Sequence, residues 1–194
     1  MTLNSEIRQA TEPLIRFLDE NRIQYHIGGS VASSAHGIPR TTIDVDLVAD
    51  IELHQVAQMV QSLQPIYYID ATMIQNAINS LSSFNLIHLE TIIKIDIFIL
   101  KKDAFAQQVM SRAVEGILSI GEAEPFHVRF SSPEDIVLHK LSWFRLGGEQ
   151  SERQWQDILG VLNVQGDSLD FAYMRSWAKQ INVTDLLDQA LSQI

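Results

Sequence analysis

The chain has no cysteine in its 194 residues. That excludes disulfides, thiolate metal centres and cysteine nucleophiles, and leaves oxygen and imidazole as the ligands for any metal. Positive charge is also scarce. With 14 Lys and Arg against 24 Asp and Glu, the net charge is -10, which disfavours strong nonspecific nucleic-acid binding because that draws on a broad basic surface. A small local basic patch stays compatible with this balance. Long hydrophobic runs are missing: no stretch reaches the roughly 20 apolar residues a membrane helix needs. Residues 1–20 carry Glu6, Arg8, Glu12, Arg16 and Asp19 where a secretory signal would be apolar. No membrane partner is therefore expected, and the expected location is cytoplasmic. Glycine and proline are few, 9 and 5, and 46% of residues are hydrophobic, enough to bury a core in one or two small domains.

What is present concentrates between Ile27 and Asp46, together with Asp96. Residues 25–27 form a short apolar strand signal that Gly28-Gly29-Ser30 interrupts, a small-residue helix follows, and residues 42–48 restart a strand. Asp44 and Asp46 stand two apart on that strand, so their side chains face the same way with backbones roughly 6 to 7 Å apart. Asp96 is a third acid inside the apolar run 92–100. Clustered carboxylates repel, and at least one tends to stay protonated unless a divalent cation binds them; oxygen-only ligands suit magnesium. The glycine pair lets backbone approach a phosphate closely, and the next helix turns its unpaired N–H groups and positive dipole end toward such an anion. Ser30 adds a donor. Two Mg2+ ions about 4 Å apart, bridged by carboxylates, suit an in-line displacement at phosphorus. Alone, a Gly-Gly-Ser turn is usually only a turn and an Asp-x-Asp usually a solvated strand end. Their fixed order, glycines, acid pair, then lone acid, points to a magnesium-dependent phosphate-handling site.

Periodicity predicts a helix over residues 3–21 with a kink or restart at Pro13, a helix over 31–36, a strand over 43–48, a helix over 53–63 and a strand over 67–69. Asp70 opens the next helix, and 84–89 with 92–100 read as a hairpin about Glu90 and Thr91. A helix at 104–110 leads to strands at 117–120 and 126–130 around a turn at 121–125. Ser132-Pro133-Glu134-Asp135 is a strong helix start, running to Arg145 or Leu146. Ser151, then Ser168 or Asp170, then Thr184 begin three more helices. The expected fold is α/β (α+β): a mixed sheet flanked by helices over 1–130, then a helical domain over 131–194. His26, His36, His54, His88, His127 and His139 lack the spacing of a zinc site, and Trp143, Trp155 and Trp177 are expected to pack the helical part.

Ile27-Gly28-Gly29-Ser30, then Asp44-Val45-Asp46, then Asp96 in a hairpin strand resemble the signature of the DNA polymerase beta-like nucleotidyltransferase superfamily. The run 38–46 and the Ser132-Pro133-Glu134-Asp135 helix with Lys140 are similar above all to its minimal bacterial branch, which includes abortive-infection and toxin-antitoxin nucleotidyltransferases. The resemblance spans about residues 14–162. It implies a nucleotidyltransferase-like fold and transfer of a nucleoside monophosphate from a nucleoside triphosphate to a hydroxyl on a protein, an RNA end or a small molecule. It further implies that Asp44 and Asp46 bind both metal ions and that Asp96 binds the one activating the acceptor. Gly28, Gly29 and Ser30 would hold the triphosphate, with Arg40, Lys140 and Arg153 also on the nucleotide. Arg153 and Asp157 match a basic and acidic cluster of that branch in part, since Gln154 stands where an acid is often found. The alternative is a weakly active or non-catalytic nucleotide-binding member of the same fold that serves a protein partner. A metal-dependent glycosyltransferase would leave Gly28-Gly29-Ser30 and Asp96 without explanation.

Overall fold

Ile7, Ala10, Leu14, Phe17 and Leu18 recur at helical spacing and are all buried on one side of α1 (Leu3–Glu20). The computed structural model describes residues 3–42, 44–118 and 125–194, with the side chains of α1 from residue 6 onward. The helix continues through Pro13 with no restart. Beside the proline, the buried Tyr67 hydroxyl enters the hydrogen-bond ladder: it donates to the Ala10 carbonyl at 2.6 Å and accepts from the Leu14 N–H at 3.2 Å. A side chain inserted into the ladder in this way lets a helix carry proline without breaking.

Among the described residues, seven strands form one mixed sheet: β1 (Tyr25–Ile27), β2 (Asp44–Ala49), β3 (Tyr67–Tyr68), β4 (Ser83–His88), β5 (Lys94–Ile99), β6 (Val114–Ile117) and β7 (His127–Phe130), in the order β3-β4-β5-β2-β1-β7-β6. β2 with β5 and β1 with β7 are parallel, and the remaining pairs are antiparallel. Strict alternation sends Val45, Leu47 and Ala49 of β2 and Ile95, Ile97 and Ile99 of β5 into the core. The intervening residues, Asp46 and Asp96 among them, lie half-buried on the opposite face.

The helices are α2 (Gly29–His36), α3 (Val56–Leu63) after a 3-10 turn at Leu53–Gln55, α4 (Ala71–Ser80), α5 (Ala104–Ser111), α6 (Pro133–Leu146), α7 (Glu152–Gln165), α8 (Phe171–Gln180) and α9 (Thr184–Leu191). Asp70, Asp103, Ser132, Ser151 and Asp170 each accept a backbone N–H at the start of a helix, satisfying donors that the helix leaves unpaired. One contiguous set of buried apolar residues runs from α1 through the sheet into α6, α7, α8 and α9.

Three local expectations shift. α2 begins at Gly29, two residues earlier than the apolar pattern implied, because the glycine takes φ +55 and the Ala32 N–H reaches the Gly28 carbonyl at 3.1 Å. The strand expected at 117–120 is β6, which starts at Val114 and carries Gly116 directly beneath the Phe130 ring; residues 119–124, holding the rest of that strand and most of the expected turn, lie outside the described residues. Trp155 is buried and Trp177 packs on the core beside Phe105, but Trp143 is 53% exposed on the outer face of α6, contrary to the expectation that all three pack inward.

Candidate active site

The parallel register of β2 and β5 sets Asp46 beside Asp96 and Asp44 beside Lys94. Paired residues of neighbouring strands project to the same side of a sheet, so these four side chains share one face. Asn85 of β4 lies across from Asp96 on that face. Lys94 Nζ stands 2.7 Å from Asp96 Oδ2. Burial pushes the Asp46 carboxyl above its ordinary value, the charges of Asp96 and Asp44 push the same way, and Lys140 and Lys94 pull against them. Lys94 is held above its ordinary range, first by its hydrogen bond with Asp96, then by the charges of Asp96, Asp44 and Asp46.

The glycine turn closes on this acid face. The Gly28 N–H donates to the Asp46 carbonyl at 2.9 Å. Gly29 has φ +55, and a Cβ there would fall 1.8 Å from Asp46 Oδ2 and 2.6 Å from its Cγ. No side chain fits without moving the carboxylate, and the left-handed backbone favours glycine independently. At Gly28 the nearest atom to a Cβ would be Ser131 Oγ at 3.9 Å, so of the two glycines only the second is sterically required.

Beside Ser30, cations gather around one acid. Arg40 donates from Nε to Asp157 Oδ1 at 2.7 Å and from Nη2 to Asp157 Oδ2 at 2.8 Å, and Lys140 Nζ reaches the same Oδ2 at 2.8 Å. Arg40 Nη2 also donates to the Ser30 hydroxyl. The Asp157 side chain is 7% exposed. Burial pushes its carboxyl up, but the hydrogen bonds and charges of Arg40 and Lys140 outweigh this and hold it below its ordinary value. Ser30, Arg40 and Lys140, drawn from α2, the following loop and α6, thus meet at one place. Arg153 is exposed, one turn ahead of Asp157 on α7, and the structure does not bring it into that cluster. A buried polar relay supports the turn from behind: His26 Nδ1 pairs with Ser131 Oγ at 2.7 Å, and His36 Nε2 donates to the Ser131 carbonyl at 2.7 Å.

Two residues here escaped the sequence reading as site residues. Lys94 had a local signal, the Lys-Ile-Asp spacing that places it on the face of Asp96. Asp157 had only its partial match to a charged cluster, because its partner Arg40 is 117 positions away.

As placed, no group of three His, Asp or Glu side chains among the described residues stands close enough together to hold a metal ion. The donor chemistry suits magnesium nonetheless: carboxylate oxygens gather on one face, and the backbone above them is kept clear at Gly29. Asp96 is engaged by an ammonium instead.

No protein-family model and no curated protein matches the chain. Among solved structures, it is similar to the solution structure of the antibiotic-resistance factor ANT(2'')-Ia, with TM-score 0.57 and 13% identity over 98% of this chain and 97% of that one. The crystal structure of ANT(2'')-Ia in complex with adenylyl-2''-tobramycin gives TM-score 0.55 and 13% identity, covering 89% and 97%. An antigenic nucleotidyltransferase-like protein from Paracoccidioides brasiliensis gives 0.52 and 18%, covering 95% and 92%. The architecture is that of the nucleotidyltransferase fold. No described helix is long and apolar enough to cross a membrane.

Proposed function

We propose that this chain is a magnesium-dependent nucleotidyltransferase that moves a nucleoside monophosphate from a nucleoside triphosphate to a hydroxyl acceptor. The observation that carries this reading is the approach of Gly29 to Asp46: the start of α2 and the acid strand are fitted to each other with no room for a methyl group. The reading takes residues 1–130 as the nucleotidyltransferase-like domain and 131–194 as a helical domain that brings Lys140 and Asp157 to its cleft.

In the reaction the acceptor oxygen forms a bond to the α-phosphorus as the bond to the β-phosphate oxygen breaks, pyrophosphate leaves, and the acceptor proton goes to solvent. Asp44 and Asp46 would hold the ions shared with the triphosphate, and Asp96 the one beside the acceptor. Bound magnesium supplies charge neutralisation on the phosphates and lowers the proton affinity of the acceptor hydroxyl. The chain's other groups bind and orient. Gly28 and Gly29 admit a phosphate to the backbone, where the first N–H groups of α2 face it. The Ser30 hydroxyl accepts from Arg40 and so has its own proton free for a phosphate oxygen. Arg40 and Lys140 exchange Asp157 for phosphate charge; Arg153, exposed and outside that cluster, belongs to the proposal as a further nucleotide contact.

A small-molecule hydroxyl is the acceptor class best supported, because ANT(2'')-Ia is seen with an adenylylated antibiotic. A protein side chain, an RNA end and a place in an abortive-infection or toxin-antitoxin system belong to the same proposal, as does a cytoplasmic location. The Lys94–Asp96 pair favours a second reading, a catalytically weak nucleotide-binding partner of another protein, since it engages the third acid. The test is incubation with Mg2+ and each α-labelled triphosphate alongside hydroxylated antibiotics, an RNA pool and cell extract. Label transferred by the wild type and lost in Asp46→Asn supports the enzyme. Triphosphate binding with no transfer to any acceptor supports the partner protein.

A further inference from the structure

We propose that Lys94 is a resident counter-charge that occupies the flank of Asp96 where a second divalent cation would bind, so that the nucleotide-free protein holds one divalent ion and admits another only when Lys94 moves aside. This rests on the magnesium-dependent reading above.

The argument begins with register. Because Asp44 pairs with Lys94 and Asp46 with Asp96, the four side chains form a square on one face, with three negative corners and one positive. The ammonium is 2.7 Å from Asp96 Oδ2, on the carboxylate that a magnesium ion would ligate at about 2.1 Å. The oxygen keeps a second lone pair, so what opposes an ion there is the ammonium's charge, which repels a divalent cation on the same carboxylate. On the same face the position across β4 is the neutral Asn85, which offers no substitute charge. Asp44 and Asp46 have no ion pair of their own among the described residues, so the first ion meets two unclaimed carboxylates and the second meets an ammonium.

Lys94 is also built to leave. Its side chain is 41% exposed and stands on a flexible four-carbon stem, and exposed ion pairs hold weakly. A triphosphate that brings its own magnesium, with pyrophosphate oxygens nearby, offers the ammonium another anion. Lys94 thereby links occupation of the acceptor-side position to arrival of the nucleotide, and the site is not charged for transfer while empty of substrate. It is a positioning residue, acting through Asp96.

Isothermal calorimetry with Mn2+, and electron paramagnetic resonance of the free ion, are applied to the nucleotide-free protein for the wild type, Lys94→Met, Lys94→Gln, Lys94→Arg and Asp46→Asn. At Mn2+ concentrations that saturate the first site, the wild type and Lys94→Arg are expected to take up one ion where Lys94→Met and Lys94→Gln take up two, the affinity of the second position rising at least about tenfold. Adding Asp96→Asn to Lys94→Met returns the count to one. Mn2+ curves that depend on Asp46 but are unchanged by Lys94→Met and Lys94→Gln overturn the role of Lys94 and leave the magnesium-dependent reading standing. Absence of Mn2+ binding in every variant, or binding that survives Asp46→Asn, overturns both.

Discussion

Arg40 and Asp157, 117 positions apart, meet in a two-pronged ion pair with contacts of 2.7 and 2.8 Å. Lys140 joins the same carboxylate, so one acid from α7 is shared by cations from the loop after α2 and from α6, and the trio keeps one net positive charge. The pair fastens the helical part of the chain to the glycine turn and also satisfies the cations before any phosphate arrives.

Asp157→Asn leaves both cations without their counter-charge in a largely buried place. Unfolding free energy of the nucleotide-free protein should fall by about 3 kcal/mol, the cost of breaking a buried pair by removing one partner, as read by urea titration. With Arg40 and Lys140 no longer claimed, triphosphate should bind about tenfold more tightly, a step of roughly 1.4 kcal/mol, in calorimetry. Weaker or unchanged binding would show that these cations do not meet the phosphates.

The two glycines should part company. Gly29→Ala forces a Cβ onto the Asp46 carboxylate in a left-handed backbone and should cost about 1–3 kcal/mol of stability together with divalent-ion binding. Gly28→Ala, with its nearest neighbour at 3.9 Å, should change melting temperature and Mn2+ binding little. Equal behaviour of the two variants would contradict the close approach at Gly29.

Asp96 lies in an apolar strand and serves the acceptor side in the proposed reaction. Asp96→Ala should keep triphosphate binding, measured by calorimetry, and lose monophosphate transfer by at least about 100-fold, the scale of removing a positioned electrostatic contributor. Transfer near the wild-type rate would remove Asp96 from the proposed chemistry.

The pH dependence of stability should carry a histidine signature. Burial, with help from the charges of His139 and Arg129, pushes His26 down to about 3, and burial pushes His139 down to about 4. Both stay neutral in the folded protein where the unfolded chain takes up a proton near about 6.5. The unfolded state therefore binds more protons below that value, and stability is lost as pH falls from about 6.5 toward the folded values, by about 1.4 kcal/mol per pH unit for each group. His26→Gln should flatten the slope by about that amount between roughly pH 6 and 5; urea titrations in that range giving parallel slopes would rule it out.

Much of this arrangement is legible in the chain itself, for identifiable reasons. The shared face of Asp44, Asp46 and Asp96 follows from the period-two alternation of two apolar strands, and α6 begins and ends where Ser132-Pro133 and Gly147 place it. Other features depend on partners remote in sequence. The Tyr67 hydroxyl that carries α1 past Pro13 comes from 57 positions away from Ala10, and no local pattern announces it. The early start of β6 at Val114 is hidden because Gly116 weakens a strand signal, although here it makes room for the Phe130 ring. The exposure of Trp143 is hard to read from the sequence because α6 is buried on nearly all sides except the one it occupies, which blurs its apolar period. Arg40 and Lys140 stand out as candidates and Asp157 matches a charged cluster in part, whereas the pairing of both cations with that acid emerges only when α7 packs against α2.

The peptide unit between Ile27 and Gly28 has a mechanical consequence. Its carbonyl accepts from the Ser131 N–H at 2.9 Å, and its N–H donates to the Asp46 carbonyl at 2.9 Å. One rigid plane is therefore pinned on one edge to the acid strand and on the other to the segment that enters α6, and α2 springs from its end. It acts as a pivot. Any rotation of α6 and α7 against β2 must turn this plane or break one of its two bonds, and turning it re-aims the first turn of α2. Opening the cleft and tilting the amino end of that helix are thus a single lever stroke.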